Sequence, residues 1–183
     1  MKHNQIDAPN TNISLHVEWL RCLYVLCNRI RREGLMSIEE DVVDPWNKDS
    51  VFRQFPTVMS EPGLTFATDL LLFMVNGLIT DDDVIQAAAE EAIKGHIADQ
   101  GNTCESLLRT IWLTIWGTLK GFNPTMACQL GRLAIPVHLK PSAAELDNLI
   151  SSLKGSTRNI SKGNLDVAID NFMVTINKSP ART

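Results

Sequence analysis

Between Leu15 and Ile30 the apolar residues Leu15, Trp19, Cys22, Leu23, Leu26 and Ile30 recur every three or four positions. An α-helix turns once in 3.6 residues, so this spacing gathers them on one face, whereas a half-buried strand would demand alternation. The pattern predicts a helix over 13–33. It returns at Leu107, Leu108, Ile111, Trp112, Ile115, Trp116 and Leu119, where a wide apolar face is expected to pack inward. No alternation by two persists anywhere, so the chain is expected to be all-α, a compact domain of about six to seven helices.

Punctuation divides the pattern. Gly34 is a natural C-terminal stop for the first helix. Ser37 followed by Glu40 reads as a capping box opening a second, short helix, which Asp44-Pro45 should end. The breaker-rich stretch 46–63 is expected to be an ordered connection with one helical turn, anchored by Trp46, Phe52, Phe55 and Val58. Leu64 to Ile79 is apolar around most of its circumference and predicts a buried helix. Thr80 with Asp83 is a second capping signal, before a helix over 81–97, and Asp81 and Asp82 suit the positive end of its dipole. A polar linker is expected over 99–103. Asn123-Pro124 caps and starts a helix carrying Met126, Ala127, Leu130, Leu133 and Ala134 as far as Ile135-Pro136. Ser142 with Glu145 is a third capping box, opening a helix through Leu153. The expected organisation is a flexible N-terminus over 1–12, a helical domain over 13–153, and a polar tail over 154–183. Within that tail the weakly amphipathic "LDVAIDNFMVTI" could dock as a helix or strand.

Composition removes several functions. With a formal net charge of -4 and a pI near 5.5, the chain has no general attraction for nucleic-acid phosphates. Its longest apolar runs, 64–79 and 111–119, fall short of the roughly 20 residues of a membrane span or are interrupted by Asp69 and Asn76. No secretory leader is legible, so a cytoplasmic location is expected. Cys22, Cys27, Cys104 and Cys128 lack a CxxC pairing and read as small buried hydrophobes. The four histidines have no ligand spacing, and Asp81-Asp82-Asp83 point apart on a helix, so neither metal nor cofactor is expected. Glu39-Glu40 and Glu90-Glu91 are paired carboxylates without a nucleophile or phosphate loop, which argues against an enzyme.

One stretch concentrates both signs of charge. In "RIRREGLMSIEED", Arg29, Arg31 and Arg32 crowd one helix end, and Glu39 and Glu40 the next helix start. Cations at a C-terminus and anions at an N-terminus each gain roughly 0.3–1 kcal/mol from the helix dipole. Three arginines exceed what one dipole calls for, so these five residues are candidate partner-binding residues.

The order of these segments, "RIRREGLMSIEEDVVDP", "SVFRQFPTV", "VNGLITDDDV", "EEAIKGH" and "LKGFNPTMACQLGRLAIPVHLKPSAAELD", resembles the cytoplasmic part of the bacterial flagellar motor stator A subunit, the MotA type. The resemblance runs from about Leu20 to Leu153. In that family a basic and an acidic residue of the elbow face the rotor's switch-complex protein, and the motif places them at Arg31 and Glu39. Family members also carry a pair of membrane helices before the loop and another before the C-terminal segment. Here neither pair is seen, and "DQGNTCES" stands in place of the second. The resemblance therefore implies either a family member with its membrane part excised or, as the uninterrupted joins favour, a soluble, non-conducting relative in motility, acting by protein–protein interaction with a rotor switch or stator component, with homo-oligomers also allowed. The alternatives are a regulator or assembly scaffold of an unrelated complex, or an enzyme.

Overall fold

The computed structural model describes residues 14–77 and 82–153. Seven α-helices carry these residues, with short 3-10 turns between them and no strand among the described residues. The all-α reading is borne out. The stretches 1–13, 78–81 and 154–183, with Thr80 and both ends expected to be flexible or polar, lie outside the described residues.

Helix α1 (Leu15–Glu33) starts where Ser14 accepts a hydrogen bond from the Val17 amide, and ends at Gly34 with φ 89°. The left-handed conformation at Gly34 carries no Cβ penalty, and its amide donates to the Ile30 carbonyl. Trp19, Cys22, Leu23 and Leu26 are buried as the stripe predicts, but Leu20 and Tyr24 on the other side are buried too. The helix is central, with two faces covered. Its first face meets the large core with α3 (Gly63–Val75), α4 (Asp82–Gln100) and α5 (Glu105–Leu119). Its second face, through Leu20 and Tyr24, meets Cys128 of α6 (Pro124–Arg132), Ile135, and Leu146 and Ile150 of α7 (residues 143–153). His16 Nε2 lies 3.0 Å from Ser106 Oγ and joins α1 to α5 near their starts. Burial holds that imidazole below its ordinary pKa.

The inward face expected for α5 is observed: Leu107, Leu108, Ile111, Trp112 and Ile115 are buried, with Trp116 and Leu119 half-buried beside them. Asn123 caps α6 by accepting from the Met126 amide at 2.9 Å. The capping box of α7 is complete, with Ser142 N donating to Glu145 Oε2 at 2.7 Å and Glu145 N to Ser142 Oγ at 3.2 Å. Hydrogen bonding from Ser142, first its backbone amide and then its side chain, holds the Glu145 carboxyl below its usual pKa. All four cysteines are free and buried, and desolvation pushes the Cys27 thiol up to about 11.

Four expectations are corrected. Ser37 does not cap: the chain enters a 3-10 turn (Leu35–Ile38) directly after Gly34, so its hydroxyl donates back to the Gly34 carbonyl at 2.6 Å. The short helix α2 (Glu39–Val43) then follows without a side-chain cap. Trp46 is no anchor but lies 60% exposed, while Phe52, Phe55 and Val58 are buried on two 3-10 turns, Val51–Gln54 and Pro56–Val58. The short polar linker expected over 99–103 lies instead at 101–104, because α4 runs to Gln100 and Gly101 at φ 77° turns straight into Asn102–Cys104 and α5. Finally, α6 stops at Arg132 rather than continuing to Ile135, and Met126 and Leu133 face outward.

Candidate interaction surface at the first elbow

The elbow is built by Gly34, the 3-10 turn, and α2. Ile38 and Val42 are buried and pin it to the large core. Asp41, between them in the acidic run, is buried as well, and its two oxygens are both used: Oδ2 accepts from Arg29 Nη1 at 2.7 Å and Oδ1 from the Val51 amide at 2.7 Å. One carboxylate thus joins the last turns of α1, the elbow, and the connection that follows. Arg29 Nε also lies 3.6 Å from Glu33.

This geometry divides the five candidate residues. Arg29 is half-buried and committed to Asp41 within the fold. Arg31, Arg32, Glu39 and Glu40 are exposed and make no ion pair with any described residue. Three exposed apolar residues share the elbow, Met36 at 59%, Val43 at 67% and Trp46 at 60%. They lie in the same stretch of chain as the four exposed charges.

Sequence reasoning missed Asp41. Its signal was position, since it stands three residues after apolar Ile38 and next to apolar Val42, both of which turn inward. It also missed the outward Val43 and Trp46. Of the two carboxylate pairs weighed for catalysis, Glu90-Glu91 is engaged in ion pairs: Glu90 Oε1 lies 3.0 Å from Arg109, and Glu91 Oε1 2.6 Å from Lys94. Among the described residues no group of three or more His, Cys, Asp or Glu is placed to hold a metal ion, and no helix is long and apolar enough to cross a membrane.

The chain shares a stretch of sequence with a known motility protein. A segment of 95 residues is 26% identical to motility protein A of Salmonella typhimurium. The segment is 51% of this chain and spans 32% of that protein, so the chain matches about a third of its relative's length. No protein-family model matches the chain, and no solved structure matches it. The similarity points to the motility proteins, as the ordered motifs do.

Proposed function

We propose that this chain is a non-conducting relative of the flagellar stator A subunit that works by protein–protein interaction, docking its first elbow on a rotor switch-complex protein in the cytoplasm. The observation that carries the reading is the division of charge at the elbow. Asp41 consumes one arginine and holds the backbone rigid, while Arg31, Arg32, Glu39 and Glu40 remain in solvent. The similarity to a motility protein supplies the class of partner.

Charges of both signs would fix the orientation of a partner with the opposite pattern and speed encounter, while burial of Met36, Val43 and Trp46 would slow release. Among the described residues no helix is long and apolar enough to cross a membrane, which supports a docking role over torque.

The test is a charge-swap binding assay against the switch-complex protein and the stator subunits of the same cell. The double variant Arg31→Glu/Glu39→Lys is expected to lower the on-rate about tenfold at low salt, with the difference shrinking as salt is added. Reversed charges on the partner should restore it. Equal affinity of variant and wild type at both salt concentrations removes the rotor-facing role and leaves the four charges as helix-end stabilisers.

A further inference from the structure

The starts of α1 and α5 are joined through a titratable group. His16 is the second residue of α1 and Ser106 the second of α5, and their side chains meet at 3.0 Å, Nε2 to Oγ, with His16 only 9% exposed. A neutral imidazole shares one hydrogen bond with the hydroxyl and is otherwise content in apolar surroundings. As a cation it would forfeit hydration. It would also stand in the first turn of its own helix and against the first turn of another, where the dipoles place partial positive charge and repel a cation.

Carboxylates on the surrounding elements are committed elsewhere. On α1, Glu18 Oε1 lies 2.6 Å from Arg21, and on α5, Glu105 Oε1 lies 2.8 Å from Arg109. On α7, Glu145 accepts from the Ser142 amide and Asp147 from the Gln129 side chain. Helix α6 and the 3-10 turns packed on α1 carry no acid, and bring only the cations Arg132 and Arg53. At the end of α4, His96 meets the Phe66 ring edge-on and Asp99 is exposed. Burial is accordingly what lowers the proton affinity of His16.

We propose that His16 is an acid-sensitive latch, whose protonation expels the ring from the α1–α5 contact and frees the first turns of α1 while α3 and the core around it stay closed. The direction follows from linkage. In the opened junction the imidazole takes its proton near the ordinary value of about 6.5, and in the closed one only at lower pH. The latch is therefore fully closed above about pH 6.5 and weakens as pH falls through that value. It is independent of the elbow, which lies at the other end of α1.

Hydrogen exchange read by mass spectrometry on the full chain tests it, at about pH 7.5 and about pH 5.5, with each rate taken relative to an unstructured peptide at the same pH. Protection of the amides of 17–20 is expected to fall about three- to tenfold between the two, tenfold being roughly the most that one group of ordinary value near 6.5 can contribute. Protection over 66–74 in α3 should stay unchanged. In His16→Gln, which keeps a polar side chain but cannot take the proton, the fall should vanish. The wild-type ring, followed by NMR, should titrate with a midpoint below about 6.5. Unchanged protection over 17–20, an equal fall in α3, a fall that persists in His16→Gln, or a ring midpoint at or above the ordinary value overturns the proposal.

Discussion

Asp41 is the residue on which the elbow depends. Its carboxylate is the acceptor for Arg29 and for the Val51 amide, and water does not reach it to replace either. Asp41→Ala leaves a buried amide without an acceptor and a half-buried guanidinium without its partner. The expected cost is about 2–4 kcal/mol, discounted from a fully buried pair because Arg29 retains solvent contact. Asp41→Asn keeps an acceptor for the amide and should cost less. Arg31→Glu and Glu39→Lys, exposed and unpaired within the described fold, should each stay within about 1 kcal/mol of wild type. Urea denaturation of the four variants checks the ranking; equal costs at Asp41 and Arg31 would show that the clamp does not hold the elbow. This ranking also separates the two duties of the charge cluster, since only the cheap positions are candidates for binding.

At the scale of elements, the α5–α6 crossing is set by glycine. A Cβ at Gly131 would collide with the Thr114 hydroxyl and stand 2.7 Å from the Thr110 carbonyl oxygen, a backbone atom that cannot swing away. A Cβ at Gly117 would stand 3.2 Å from the Ala127 Cα and 3.3 Å from the Ala127 Cβ and Leu130 Cδ2, a tighter fit than usual that asks its neighbours to give by a few tenths of an ångström. Gly95, within α4, has nothing within 4 Å. Gly131→Ala is therefore expected to destabilise by about 1–3 kcal/mol, with a smaller loss for Gly117→Ala. Gly95→Ala should stabilise by roughly 0.5–1 kcal/mol, because alanine spares the entropy a helical glycine loses. Thermal denaturation reads all three, and a stabilising Gly131→Ala would mean that the two helices do not pack this closely.

For the whole molecule, α1 is the shared wall. Trp19, Leu23 and Leu26 belong to the large core and Leu20 and Tyr24 to the small one, while Leu153 at the end of α7 packs against both. Neither cluster can open without exposing α1, whose large side chains each contribute about 1.5–3 kcal/mol by burial. Unfolding is therefore expected in one cooperative step. Tryptophan fluorescence, which reports the large core through Trp19 and Trp112, should share its urea midpoint with pulse-labelling of Cys128 in the small core. Labelling of Cys128 at a lower midpoint would show that α6 and α7 separate first.

The helices were legible because each carries its own evidence: periods of three and four, and caps such as Asn123 and Ser142 with Glu145, are local arrangements that need nothing beyond a few neighbouring residues. The Arg-and-Glu cluster of the elbow was legible for the same reason. What tertiary structure decided was which residue of each type turned inward. Ser37 lost its capping role because Gly34 led straight into a 3-10 turn, and Trp46 went outward while its neighbours Phe52 and Phe55 filled the core. Two apolar faces on α1 had to be covered, so residues 90 positions and more along the chain came to pack on it, such as Ser106 on His16 and Cys128 beside Leu20. The commitment of Arg29 to Asp41 followed from how α2 lies against the end of α1, because burial of a carboxylate depends on what packs around it, and a linear pattern does not contain those long-range contacts.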